Sequence, residues 1–130
     1  MVGSEHVGDY CVRSPVCAEP WQPLSLVRQQ MLSSSFSFLP IRIDLGEGKK
    51  WYVVSDLELA RVLCNPDRKV TLGTTVCDAV SRFGLKLPEP QTVEVEASIF
   101  SVLQHSGGLP ILVVDEACNL VGIATPFDLL

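Results

Sequence analysis

Apolar residues recur along the chain with two different periods, which predict alternating helices and strands. Apolar positions three or four residues apart predict a helix over residues 24–32. Over residues 38–44 an alternating pattern places Leu39, Ile41 and Ile43 on one side, which predicts a half-buried strand; a Gly-rich turn connects it to a returning strand at 51–54. Ser55 is expected to begin the next helix as its N-cap. The inward face predicted for the first helix consists of Leu24, Val27, Met31 and Leu32.

The second half of the chain shows the same order of patterns. A short strand at 92–95 leads into a helix at 97–105. A continuous apolar run at 110–114 predicts a strand buried on both faces, and 120–124 returns beside it. Thr125 is then expected to cap a final helix, because threonine caps well and the proline that follows suits a first helical position.

An internal repeat connects the two halves. Leu39-Pro40-Ile41 matches Leu109-Pro110-Ile111, and Val54-Ser55 matches Ala124-Thr125, both at an offset of 70 residues (110 − 40 and 125 − 55). The predicted fold class is therefore α/β (α+β), built from two pseudo-symmetric repeats. A unit of about 60 residues buries a core poorly by itself, so the two sheets are expected to pack against each other. The predicted boundaries are 1–70 for the first repeat with its N-terminal segment and 71–130 for the second.

The composition of the chain excludes several classes of protein. Hydrophobic residues make up 47% of the chain and charged residues 19%, which excludes disorder for most of it. The formal net charge of −5, without a basic stripe, argues against nucleic acid as a partner. The longest apolar runs, such as Leu109–Val114, are far shorter than the roughly 20 residues of a membrane span. With no secretion signal recognisable at the N-terminus, a cytoplasmic location is expected.

The residues that usually carry catalysis are few and scattered. Only two histidines, His6 and His105, are present, and they lie about a hundred residues apart. The five cysteines form no C-x-x-C pair. We therefore expect no catalytic residues, no metal site and no enzyme activity. The cysteines are Cys11, Cys17, Cys64, Cys77 and Cys118.

The most specific motif lies in the second half. Residues 109–115 read LPILVVD, and residues 120–130 read LVGIATPFDLL. The first half contributes SPV at 14–16, FLPI at 38–41 and YVVSDLEL at 52–59. In these segments the chain resembles a tandem pair of CBS domains, the Bateman module, over nearly its whole length from about residue 7.

The resemblance implies a ligand-sensing regulatory module. The cleft between paired repeats of this family often binds an adenosine-containing ligand such as AMP, ADP, ATP or S-adenosylmethionine, and binding modulates an attached or associated protein. The residues carried over are Thr125, which would contact phosphate, and Asp128, which would contact the ribose. A helix N-terminus attracts phosphate, and a carboxylate can accept hydrogen bonds from two ribose hydroxyls.

Four further residues complete the implied site in the second repeat. Gly122 would let the backbone approach the ligand without a side chain between them. Main-chain groups near Thr92 and Val93 would hold the adenine, with apolar cover from Ile111.

The first repeat departs from the family pattern, so only a weaker second site is expected there. Ser55 and Glu58 stand at the positions of Thr125 and Asp128, and Val16 and Ile41 would line the site. A glutamate is longer than the aspartate that the family uses to bind the ribose. This site is predicted to be degenerate.

Two other interpretations stay open. Thr-x-x-Asp at a helix start can be a capping pair that satisfies backbone groups without any ligand, and Ser55 with Glu58 fits the same description. The chain can also be a purely structural dimerisation module, since the resemblance implies homodimers that meet through their helical faces. Saturable nucleotide binding would separate a sensor from such a module.

Overall fold

The computed structural model describes residues 5–13, 15–104 and 107–130. Short 3₁₀ helices lie at both ends of this range, at Val7–Asp9 and Pro126–Leu129. The strands are β1 (Val12–Arg13), β2 (Phe38–Asp44), β3 (Lys49–Ser55), β4 (Gln91–Val93), β5 (Ile111–Val114) and β6 (Leu120–Ala124). The helices are α1 (Leu24–Ser34), α2 (Asp56–Leu63), α3 (Arg68–Leu72), α4 (Val76–Arg82) and α5 (Ile99–Leu103).

The chain forms two compact units whose composition differs from the predicted division after residue 70. The first unit is Val16–Glu89, and the second unit combines the segment up to Pro15 with Pro90–Leu130. The N-terminal segment therefore packs with the C-terminal half, while residues 71–89 pack with the first half. The assignment of one CBS repeat to each half of the sequence stays a prediction.

The first unit is built on the β2–β3 hairpin. The two strands pair antiparallel from Phe38 opposite Ser55 to Asp44 opposite Lys49. Ala18 adds a parallel bridge to Ile41. Leu39, Ile41 and Ile43 are all buried, as predicted for the inward side of β2, but Pro40 on the other side is buried as well, so the strand alternates only from Ile41 onward. The side chains of α1, α2 and α4 that pack into this core include Leu24, Val27, Met31, Leu59, Val62, Leu63, Val76 and Ala79.

The second unit contains a four-stranded sheet in the order β1-β6-β5-β4. Strand β5 pairs antiparallel with β6 and parallel with β4, and every residue of β5 is buried, as its continuous apolar run predicts. The buried residues of this smaller core are Val7, Val102, Ile111, Val113 and Ala124.

Each unit receives a segment from the other half of the sequence, and both segments dock through the same pattern of backbone hydrogen bonds. In the first unit, the N–H groups of Leu24, Val76 and Cys77 donate to the carbonyls of Thr74, Gln22 and Pro20 respectively, at 2.9, 2.9 and 3.0 Å. In the second unit, the N–H groups of Ile99, Val7 and Gly8 donate to Glu5, Ala97 and Val95, at 3.2, 2.9 and 2.9 Å. This equivalence explains why the units do not follow the sequence halves.

Several sequence predictions need correction. Leu32 was predicted to face inward but is 63% exposed, because it lies about 100° around the helix from buried Met31. The short helix α3 was not predicted. Helix α5 ends at Leu103, and the final helix is a 3₁₀ helix of four residues. His105, the last residue of the helix predicted at 97–105, lies outside the described residues, as does Ser14.

No helix in the described ranges has both the length and the hydropathy needed to cross a membrane.

Candidate ligand-binding site

Thr125 and Asp128 form a complete capping box where β6 ends. The Thr125 backbone N–H and its Oγ1 hydroxyl both donate to Asp128 Oδ2, at 2.8 and 3.0 Å. In return the Asp128 N–H donates to Thr125 Oγ1 at 3.4 Å. Both residues are half-buried, so solvent reaches them. The structure thus brings the two residues together and gives each a structural role at the start of the 3₁₀ helix.

The capping box limits how a ligand could use this carboxylate. Both Thr125 donors converge on Oδ2, so a ribose that engaged both carboxylate oxygens would have to share or replace one of these bonds. The helix that follows has only four residues and contributes few aligned peptide dipoles to an anion.

Gly122, on β6, packs closely against β1 and the residue before it. A Cβ added at this position would come within 2.6 Å of Cys11 Sγ and 2.8 Å of the Val12 carbonyl oxygen. In the sheet register, Gly122 is opposite Arg13. Close packing between β1 and β6 therefore already requires glycine here, apart from any ligand.

The residues expected around an adenine base lie on β4 and β5. Thr92 is exposed and Val93 is half-buried, and they pair with Leu112 and Val113. Ile111 is 0% exposed and belongs to the core. Its side chain presents no surface to a ligand in this conformation, so the predicted apolar cover is not available from it.

One polar residue beside this strand was missed by the sequence analysis. Gln91 begins β4, and its Oε1 is buried without a hydrogen-bond partner among the described residues. An unsatisfied buried acceptor is costly, so such an atom marks a place where a donor would be stabilising. A polar residue at the start of a short apolar strand is the only sequence signal that points to it.

The equivalent carboxylate in the first unit is fully engaged. Ser55 Oγ accepts the Glu58 N–H at 3.1 Å, as predicted for a helix cap. Glu58 Oε1 accepts from Arg61 Nη2 at 2.9 Å and from the Lys86 backbone N–H at 3.0 Å, while Oε2 accepts from Arg61 Nε at 3.0 Å. Arg61 also donates to the Gly84 carbonyl at 2.8 Å. These groups form a clamp that ties α2 to residues 84–86.

The clamp lowers the pKa of Glu58 below its ordinary value, chiefly through the hydrogen bonds from Arg61. Partial burial raises this pKa, and the hydrogen bond from the Lys86 N–H lowers it further. Arg61, three residues after Glu58, is visible in the sequence as a helix-surface partner. Lys86 lies far along the chain, and no sequence pattern connects it to Glu58.

The other two residues of the weaker predicted site lie in different environments. Val16 is 40% exposed, whereas Ile41 is buried in the β2 core opposite Tyr52. Ser55 and Glu58 are together, but Ile41 offers no side-chain surface beside them.

No group of three or more histidine, cysteine, aspartate or glutamate side chains within the described residues could hold a metal ion.

Comparison with solved structures identifies the fold. No protein-family model matches the sequence, and no curated protein matches it either. A CBS domain-containing protein of unknown function from Bacillus anthracis aligns with a TM-score of 0.77 at 15% identity, over 97% of this chain and 90% of the other. The chain has the fold of a tandem CBS-domain pair.

Two further structures with this CBS-pair fold illustrate its range. CBSX2, solved in complex with AMP, aligns with a TM-score of 0.69 at 24% identity, over 95% of this chain and 91% of the other. The CBS domain of a bacterial CNNM/CorC family Mg²⁺ transporter aligns with a TM-score of 0.71 at 19% identity, over 98% and 73%. The α+β fold class and the resemblance to CBS pairs are thus confirmed.

Proposed function

We propose that this CBS pair is a non-catalytic, cytoplasmic regulatory module that binds an adenosine-containing ligand through its second unit. Asp128 would bind the ribose with Thr125 beside it, and the bound state would bias an attached or associated protein. The ligand class is AMP, ADP, ATP or S-adenosylmethionine. The observation that carries the proposal is the Thr125–Asp128 pair, half-buried and solvent-accessible at the end of β6.

The position of Asp128 suits a diol. A carboxylate held by a backbone N–H and a hydroxyl keeps a defined orientation, and it has the acceptor capacity to bind two ribose hydroxyls. A ligand that makes such bonds would replace part of the capping interaction with charge-assisted ones.

The base would lie beside β4 in this proposal. Thr92 and Val93 would supply main-chain contacts, and Gln91 Oε1 is an acceptor still without a partner in the described structure. The exocyclic amine of adenine is a donor of the matching type. Gly122 would contribute by keeping β1 close to β6.

Calorimetric titration with adenosine ligands tests this assignment. Asp128→Ala should weaken binding by roughly 1.5–3 kcal/mol, the scale for a hydrogen bond to a charged group. Asp128→Asn, which keeps the size and one acceptor oxygen, should weaken it less. An unchanged affinity in Asp128→Ala would refute the site.

Loss of a cap can also loosen the fold, so a matched control is needed. Asp78→Ala removes an exposed aspartate three residues after the Thr75 cap of α4, outside either predicted site, and should leave ligand affinity unchanged. Thermal unfolding of both variants shows whether each is folded at the temperature of the titration.

A structural homodimerisation module is the second candidate, and the surface of α1 and α2 favours it. Leu32 and Leu57 are 63% and 75% exposed on these helices. A mostly apolar cavity of about 220 Å³ lies between α1 and α2, and its lining includes Leu32 together with the buried Met31, Leu59 and Leu63. Analytical ultracentrifugation of Leu32→Glu tests this surface: a shift from dimer to monomer supports it. A dimer that binds none of the adenosine ligands would favour the structural role alone.

A further inference from the structure

The cavity of about 220 Å³ in the first unit is formed by three helices that contact one another, α1, α2 and α3. One stripe of α1 and one stripe of α2 line it, with residues three or four positions apart, and the first residue of α3 completes the lining. Its apolar residues are Met31, Leu32, Leu59, Ala60 and Leu63.

The size of this cavity suits a short hydrocarbon group. An apolar cavity of about 150 Å³ is large enough to hold a benzene molecule. Met31, Leu59 and Leu63 are each at most 5% exposed, so they form an apolar floor. A ligand that placed a hydrocarbon chain on this floor would gain the free energy of removing it from water.

Three exposed charged residues also line the cavity, and they carry a net positive charge. Arg28, Asp56 and Arg68 give a formal charge of +1 (2 − 1). Neither arginine forms an ion pair with a carboxylate of the described residues. Arg68 Nη1 donates one long hydrogen bond, to the Leu63 carbonyl at 3.4 Å. Because a guanidinium has five donors, both arginines can still bind an anion.

A second copy of the chain is a poorer match for these charges than a small anion. In a two-fold symmetric interface the same patch of each subunit meets the other, so the copy would bring two further arginines and one aspartate to this face. The positive charge would then be doubled, whereas an anionic ligand would neutralise it.

We propose that this cavity binds a medium-chain aliphatic monocarboxylate. Its hydrocarbon chain lies on Met31, Leu59 and Leu63, and its carboxylate accepts hydrogen bonds from Arg28 and Arg68. The site lies entirely within the first unit. It is independent of the adenosine ligand proposed for the second unit, so either proposal can fail without the other.

Calorimetric titration of the full chain with octanoate, 1-octanol and octylammonium tests the ligand class, because the three probes share one alkyl chain and differ in the charge of the head group. At low ionic strength octanoate should bind at least about threefold more tightly than octanol, and octylammonium should bind most weakly. Hexanoate should bind severalfold more weakly than octanoate, because it buries less hydrocarbon. No binding of octanoate, or equal binding of octanoate and octylammonium, would overturn the inference.

Charge variants test the role of the two arginines. Arg28→Gln and Arg68→Gln should each weaken octanoate binding by about twofold to fivefold and leave octanol binding unchanged. Asp56→Asn should strengthen octanoate binding, because it removes the negative charge from the lining. Lys69→Gln is the matched control, since Lys69 is an exposed cation on α3 outside the lining, and it should change neither affinity. Equal losses of octanoate and octanol in the arginine variants would refute the role of charge.

Filling the cavity tests the position of the chain. Ala60→Leu places a larger side chain in the lining and should abolish octanoate binding, while the helix tolerates it because leucine is a good helix former. Thermal unfolding verifies that the variant is folded. Unchanged octanoate affinity in this variant would place the ligand elsewhere and overturn the inference. A dimer that binds no octanoate, and that becomes monomeric in Leu32→Glu, would assign this face to a second copy instead.

Discussion

Equivalent helix starts in the two units use their carboxylates in opposite ways. In the first unit, Glu58 reaches past its cap to Arg61 and the Lys86 N–H, and so joins two parts of the chain. In the second unit, the shorter Asp128 folds back onto the Thr125 N–H and hydroxyl. Glu58 has one methylene group more than Asp128, and its carboxylate bonds a distant segment of the chain, whereas the bonds of Asp128 are local. A ligand could replace the local bonds of Asp128 without separating two segments of the fold.

The largest change in stability is expected in the second unit, where β1 approaches β6 closely at Gly122. Gly122→Val should destabilise the fold by roughly 1–3 kcal/mol or more, the range for overpacking, because the new side chain would overlap Cys11 and the Val12 carbonyl. Urea unfolding measures this loss.

Gly73→Ala is the matched control for that substitution. An added Cβ there would meet its nearest atoms at 3.7 Å, an ordinary contact, and Gly73 has a right-handed conformation. Its stability should change by less than about 0.5 kcal/mol. A Gly122 variant as stable as this control would contradict the assigned β1–β6 contact.

An intermediate effect is expected from the Glu58 clamp. Glu58→Asp should lose the reach to Lys86 and cost roughly 1 kcal/mol, the usual net value of a hydrogen bond. A double-mutant cycle of Glu58→Ala and Arg61→Ala should give a coupling of about 0.2–1 kcal/mol, because solvent reaches this ion pair through Arg61, whose side chain is 48% exposed. Zero coupling would show that the Glu58–Arg61 pair adds nothing to the clamp, which would then depend on the bonds to the Lys86 N–H and the Gly84 carbonyl.

The pH dependence of this clamp follows from the lowered pKa of Glu58. A carboxyl whose pKa is lower in the folded protein stabilises the fold above its unfolded pKa, and the stabilisation is lost as pH falls through the folded value. The stability difference between the wild type and Glu58→Gln should therefore be full at pH 7 and shrink in the acid range. A difference independent of pH would mean that Glu58 acts without its charge.

The two caps are expected to give effects no larger than that of the clamp. Ser55→Ala should cost roughly 1 kcal/mol, because Ser55 is buried and begins the eight-residue helix α2. Thr125→Ala should cost less, since it begins a four-residue 3₁₀ helix with no buried residue. Urea unfolding of both variants tests this order; a larger loss at Thr125 would show that the C-terminal 3₁₀ helix contributes more to stability than its burial indicates.

Sequence reasoning was most reliable where one local pattern decides the outcome. The buried side of β2, the buried run of β5 and both caps are determined by neighbouring residues, and all are present. It was wrong about Leu32, since a helical pattern with several apolar positions does not show which of them meets the core.

The sequence by itself determined the repeat, the hairpins and the capping pairs, because each can be recognised from short stretches of neighbouring residues. Only the tertiary structure decided which segment packs with which half, what covers Gly122 and what Glu58 holds. Those contacts join residues far apart in sequence, such as Val7 with Ala97 and Glu58 with Lys86, and no local periodicity encodes them. The same reason applies to Glu58 and Asp128. The sequence gives the lengths of their side chains, but the fold determines which hydrogen-bond partners lie within reach.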